Sequence, residues 1–313
     1  MLVQNILARK SGLRCYGLTP PKRSQETSRI REIADRQSRR IEDLAPDGLV
    51  LYDLQDEAGR TGTDRPFPFL PTLEPLEYAR DFLAGLSVPR ILYKCVANQT
   101  RDSFGNWLTA LTPGSACVLV GSPSSLGPRA EGNLSLQDAY AMLSALGSQG
   151  SGGICSGGVA IAERHARKGD EGSRLLAKHA SGCRFFISQT VFDAAATKSL
   201  LADFAFRFAQ AGIETPPFLL SFSPCGSVRT LEFMKWLGIS FPPRLEEELR
   251  RSDDMLEKSI LLARETFAEV MAFAVGLRLP IGINVESVSI RKEEIDASIE
   301  LFGSLSALLA RGG

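Results

Sequence analysis

Eight short apolar runs with the length and composition of β-strands recur along the chain, alternating with longer amphipathic or Ala/Leu-rich segments. They cover residues 13–18, 49–52, 90–95, 116–121, 153–161, 184–188, 218–222 and 281–285. Strand–helix alternation of this kind predicts a parallel α/β architecture. The chain has 313 residues, about 39 per unit, against roughly 31 for a minimal (β/α)8 barrel of ~250 residues. The economical fold is one α/β domain, a (β/α)8 TIM barrel over residues 1–313, with its active site at the C-terminal ends of the strands.

The competing fold is an open doubly wound sheet, which would carry a phosphate-binding loop after its first strand. Here that position reads Thr19-Pro20-Pro21-Lys22, and two prolines remove the backbone N–H groups such a loop uses. The Gly-rich tract 147–158 has no nucleotide fingerprint and reads as a loop leading into the fifth strand. Helix starts are predicted where Ser135 precedes Asp138, Thr190 precedes Asp193 and Asp254 precedes Glu257. Pro280 ends the last long helix before the eighth strand.

Composition narrows the partners. Lys and Arg total 36 against 36 Asp and Glu, so no long-range positive field favours nucleic acid or an anionic membrane. The most apolar long stretch, 259–277, is interrupted by Arg264, Glu265 and Glu269, and no spanning helix is expected. The N-terminus lacks a signal-peptide pattern, so the expectation is a cytoplasmic protein acting on a small molecule, with homo-oligomerisation left open. Six dispersed cysteines without a CxxC pair read as buried free thiols. Two histidines cannot build a multi-histidine metal site. His179 is expected on an exposed helix face, and no metal is expected.

Polar residues just after each apolar run are the first candidates for chemistry in such a barrel. They include Asp53, Gln55, Asp56 and Glu57 after the second run, Lys94, Asn98 and Gln99 at the third, and Ser122 after the fourth. Glu163 and His165 follow the fifth, Gln189 the sixth, and Asn284 and Glu286 belong to the eighth.

The stretch Gly182-Cys183-Arg184-Phe185-Phe186-Ile187-Ser188-Gln189-Thr190-Val191-Phe192-Asp193 resembles the G-A-x-F-x-x-T-Q-x-x-F-D signature of methylenetetrahydrofolate reductases. Tyr16 to Lys22 resembles that family's first strand and Pro-Pro turn, and 217–223 its seventh strand. The likeness spans nearly the whole chain and is closest to a divergent bacterial branch. It implies hydride transfer from NAD(P)H, by way of FAD, to 5,10-methylenetetrahydrofolate. Gln189 matches the glutamine on the pterin, and Arg291 an arginine near the folate. His165, Glu171 and Lys178 match residues on the flavin's ribityl, adenosine and phosphate portions, with Lys94 a further positive charge for a cofactor.

The departures matter as much. The family's catalytic glutamate falls on Gly17 and its aspartate after strand four on Ser122, while a histidine becomes Tyr93 and a tyrosine Ile161. Asp53, Glu57 and Glu286 are the carboxylates available in place of the lost acid. Glu286 is preferred, because strand eight neighbours strand one once a barrel closes. Asp53 is the second catalytic candidate, and Ser122 and Asn284 join Gln189 and Arg291 as substrate-binding candidates. A non-redox folate or pterin one-carbon transferase, or a catalytically silent folate-binding homologue, is the alternative that Gly17 and Ser122 leave open.

Overall fold

The computed structural model describes residues 1–56, 65–112, 114–121, 133–147 and 153–312. Its strands are β1 (Arg14–Leu18), β2 (Gly48–Leu51), β3 (Arg90–Cys95), β4 (Ala116–Val120), β5 (Cys155–Ala160), β6 (Phe185–Thr190), β7 (Phe218–Phe222) and β8 (Ile281–Glu286). All are parallel to their neighbours, and they close in the order β1 to β8 into a barrel. The expected (β/α)8 fold is therefore the one observed, with strand ends shifted by up to two residues.

The helices among the described residues are α1 (Leu2–Leu7), α2 (Thr27–Leu44), α3 (Pro75–Asp81), α4 (Arg101–Thr109), α5 (Leu136–Gly147) and α6 (Ala162–Lys168). They continue with α7 (Glu171–Ala180), α8 (Ala194–Gln210), α9 (Val228–Trp236), α10 (Pro243–Arg251), α11 (Met255–Gly276) and α12 (Lys292–Gly312). None of those described is long and apolar enough to cross a membrane.

Period-two alternation sorts each strand's side chains between two cores. The inward set includes Cys15, Val50, Ile91, Tyr93, Val118, Phe185, Ile187 and Leu219, joined by Leu2 and Ile6 of α1. Thus α1 stoppers the N-terminal end of the barrel. Burying those two side chains contributes about 1.5–3 kcal/mol each. The outward set packs against the helices, where Phe204 meets Phe186 and Phe218 edge-to-face and Phe208 at a tilt. There the buried Tyr16 hydroxyl meets Ser298 Oγ at 2.6 Å.

Two of the three expected helix starts hold: Ser135 Oγ accepts from Asp138 N and Asp254 from Glu257 N, each at 2.9 Å. Thr190 does not cap a helix. It is the last residue of β6, and Asp193 caps α8 by accepting from Ala196 N. The spacing was right for a capping box, but three strand-compatible residues still separate Thr190 from the first helical turn. His179 is also corrected: it is half-buried, its ring 5.2 Å from that of Phe208.

Candidate functional site at the barrel mouth

Position 17 is the key to the mouth. Gly17 pairs with Glu286 across the β1–β8 seam. A Cβ on Gly17 would lie 2.7 Å from Tyr52 Cε2, 2.9 Å from its hydroxyl and 3.0 Å from Glu286 Cβ. The missing side chain is therefore replaced by two from neighbouring strands. Tyr52 follows β2 directly and continues the inward phase of Gly48 and Val50.

The two side chains are tied into one network. Asn284 Nδ2 donates to the Tyr52 hydroxyl at 2.8 Å and to Ser221 Oγ at 3.1 Å. The Tyr52 hydroxyl in turn donates to Glu286. Thr190 Oγ1 donates to Glu286 Oε1 at 3.3 Å. Tyr93 packs on Tyr52 with ring centroids 4.8 Å apart. Burial pushes the Glu286 carboxyl above the ordinary glutamate range, partly opposed by the hydrogen bonds from Tyr52 and Thr190. Both are donors, so a proton held by Glu286 is not needed by either and remains available to a ligand. Asn284 is fully buried, and its Oδ1 has no hydrogen-bond partner among the described residues.

A second concavity lies beside the mouth. Asp53, one residue after Tyr52, faces the other side of the barrel wall. Its Oδ2 accepts from Cys95 N at 2.8 Å and its Oδ1 from Gln55 Nε2 at 2.7 Å. Burial raises the Asp53 carboxyl, while the Cys95 N–H and the Lys94 ammonium pull it back. Asp53, Gln55, Lys94 and Asn98 line a cleft of about 430 Å³ that also reaches Arg23 and Phe69. Lys94, on the outward face of β3, is buried; Nζ lies 3.2 Å from Glu74 Oε1 and 5.3 Å from the Trp107 ring centroid. Glu74 also caps α3, accepting from Leu76 N and Glu77 N, and takes the Trp107 indole N–H at 2.9 Å.

The remaining candidates lie apart from these two. Gln189 sits where the β6–β7 register shifts between Ile187 and Thr190, and its Nε2 donates to Leu237 O at 2.7 Å. The shift brings Thr190 opposite Ser221 at the mouth. Arg291 is exposed just before α12, with Glu293 3.8 Å away. Ser122 and Glu57 lie outside the described residues.

His165, Glu171 and Lys178 form a third group behind β5. Glu171 is 1% exposed, accepts from Ile161 N at 3.2 Å, and lies 3.5 and 3.6 Å from Arg164 and Arg174. Lys178 Nζ donates to Val159 O at 2.6 Å, its stem covering Gly158. His165 Nδ1 lies 4.0 Å from Asp203 Oδ2. All three turn into the protein wall rather than toward open space. They do not fit the ribityl, adenosine and phosphate portions of a flavin.

Tyr52 and Thr190 were absent from the sequence-based candidates. Tyr52 was recoverable from the period-two phase of β2, whereas Thr190 depends on a register shift that no local pattern reveals.

No protein-family model matches the chain, and no curated protein matches it. Among solved structures, an uncharacterized protein from Clostridium thermocellum that binds two copies of 5-methyl-5,6,7,8-tetrahydrofolic acid is 38% identical. The match covers 98% of this chain and 100% of that one, with a TM-score of 0.84. Oxaloacetate acetylhydrolase in complex with oxalate matches at 14% identity and a TM-score of 0.42, over 74% of this chain and 76% of that one.

Proposed function

Since the chain belongs to the same family as the Clostridium thermocellum protein, we propose that it binds reduced folates at the barrel mouth and uses Glu286 as its acid in one-carbon chemistry. The reaction proposed is that of a methylenetetrahydrofolate reductase, with hydride taken from NAD(P)H. The observation that carries this reading is the pairing of Glu286 with Gly17. A carboxyl returns, from the adjacent strand, to the place where the resembled family keeps its acid.

The chemistry asked of the mouth is limited and balanced. The bond from the bridging methylene carbon to N10 of 5,10-methylenetetrahydrofolate breaks with its electron pair on N10. That nitrogen takes the proton from Glu286. The iminium carbon left on N5 takes hydride from the nicotinamide and becomes the 5-methyl group. A neutral carboxyl suits the first step, because burial keeps the proton on Glu286 at a pH where an exposed glutamate would have lost it. Tyr52 and Thr190 fix the carboxyl's orientation. Asn284 donates to the Tyr52 hydroxyl and so holds the phenol against Glu286.

The reading calls for direct hydride transfer, since the residues expected around a flavin face the protein wall. Three measurements on the purified protein test it: titration with 5-methyltetrahydrofolate, the visible spectrum, and NADH or NADPH oxidation with 5,10-methylenetetrahydrofolate. Binding and turnover by a colourless protein are expected. Absence of folate binding would overturn the whole proposal. Binding without turnover would leave only its folate-binding part, and a stoichiometric flavin band would remove the direct transfer.

A further inference from the structure

Residues 65–73, between β2 and α3, are fastened to the barrel rim at two places. At one end Arg229, in the first turn of α9, donates from Nη2 to Pro66 O at 2.9 Å and lies 4.3 Å from the Phe67 ring centroid. Phe67 meets Phe233 edge-to-face at 5.3 Å, Phe233 stacks on Trp236, and the Arg65 guanidinium lies 5.0 Å from the Trp236 ring centroid. At the other end Arg23 N donates to Pro71 O at 2.8 Å and Leu73 N to Pro21 O at 2.9 Å, beside an antiparallel bridge between Lys22 and Thr72.

Barrel order fixes what lies between these ends. The helix α9 follows β7, and Pro21 to Arg23 follow β1; the strand between those two in the wall is β8, which ends in Glu286. The chain from Pro66 to Pro71 spans at most about 20 Å, too short to pass outside α12, a cylinder about 10 Å across. Its path therefore runs over the C-terminal end of β8. Phe69 and Thr72 also form one wall of the cleft of about 430 Å³ whose opposite wall holds Asp53 and Lys94.

The two fastenings differ in kind. The one beside β1 is a set of backbone hydrogen bonds. The one on α9 is made by side chains, and a cation–π contact at an exposed site is weak. Arg229 is exposed, and its hydrogen bonds and its ring contact all go to this segment. The α9 end is thus the one that can open locally while the other holds.

We infer that residues 65–73 are a latched strap over Glu286: the landing of Arg65, Pro66 and Phe67 on α9 releases to admit a ligand to the mouth and closes again above it, with the Pro71 to Leu73 end as the hinge. Closure keeps water from the carboxyl and holds the ligand against it. The covering stands on the path of the chain. Only the identity of what passes beneath it rests on the reduced-folate reading above.

Two measurements on the full chain test this, each on the wild type, Arg229→Ala and Phe67→Ala. The first needs no ligand: carbodiimide labelling of Glu286, read by peptide mass spectrometry. Both variants should label roughly 5- to 20-fold faster than the wild type, while Glu171, buried behind β5, labels equally slowly in all three and so excludes general loosening. The second is stopped-flow mixing with 5-methyltetrahydrofolate. The wild-type association rate should level off as ligand rises, at the rate of strap opening, and the variants should level off higher and release ligand faster. Equal labelling of Glu286 in all three proteins would overturn the covering. Faster labelling with unchanged association and release would overturn the latch. A wild type that binds no reduced folate would overturn the reading of the ligand, and the labelling would still decide the strap.

Discussion

Gly17 and Glu286 face one another across the seam that closes the barrel, and the space a side chain would need at position 17 is taken by Glu286 and the ring of Tyr52. The glycine is a requirement of the site: an acid on β8 and a phenol after β2 can meet there because β1 contributes no side chain.

Gly17→Ala should therefore be destabilising by about 1–3 kcal/mol, the usual cost of overpacking. Its Cβ would fall 2.7 Å from the Tyr52 ring. Combining it with Tyr52→Ala should recover part of that loss relative to the sum of the single variants. Urea denaturation of the four proteins measures the coupling, and strict additivity would contradict the contact.

Glu286→Gln preserves shape and removes the acid. If the proposed reaction is correct, turnover should fall roughly 10²- to 10⁴-fold with a much smaller change in KM. A fall in affinity with kcat unchanged would make Glu286 a binding group instead.

The same carboxyl leaves a mark on stability. Its pKa is raised by burial, so the folded chain holds this proton more tightly than the unfolded chain does. Its stabilising contribution is fully present below the unfolded value and is lost as pH rises through the folded one. From roughly pH 4.3 upward, the wild type should lose stability relative to Glu286→Gln. Parallel stability-against-pH curves for the two proteins would refute the shift.

Behind β5, Glu171 offsets the partly buried Arg164 and also holds Ile161 N. Glu171→Ala leaves that guanidinium and that N–H without their partner. The expected loss is about 3–5 kcal/mol, visible in the denaturation midpoint and independent of any added flavin. Stabilisation of the wild type by FAD, absent in the variant, would instead return Glu171 to a cofactor role.

Burial pushes the Cys155, Cys183 and Cys225 thiols up to about 12, leaving almost no thiolate at pH 8. Of the six cysteines only Cys95 is less than fully buried. Ellman's reagent should titrate at most one thiol in the native protein and all six in denaturant. Rapid reaction of several native thiols would contradict the two-layer core.

The eight strands were legible because strands covered on both faces read as nearly continuous apolar runs, and the barrel followed from counting them. Glu286 could be nominated from chain order alone, since closure makes β8 and β1 neighbours. Side-chain direction was harder to read. Gln189 follows an apolar run as a site residue would, but the register shift in β6 sends its amide to Leu237 and puts Thr190 at the mouth. Lys94 lies near a strand's C-terminal end, yet its period-two phase points it outward to Glu74 and Trp107. Lys178 and Glu171 have the spacing of a surface ion-pair row. Only the packing of α7 on β5 reveals that Glu171 is buried and that Lys178 reaches a strand carbonyl.

Leu2 and Ile6 close the end of the barrel opposite Glu286. Their consequence is electrical as much as mechanical. An unstoppered barrel would let water rise beneath the carboxyl and screen its charge, whereas the apolar column from α1 upward insulates it from below. The state of the acid is then governed from one side only, by whatever settles over the mouth: a ligand that excludes the remaining water strengthens the hold on the proton until a basic nitrogen comes within reach.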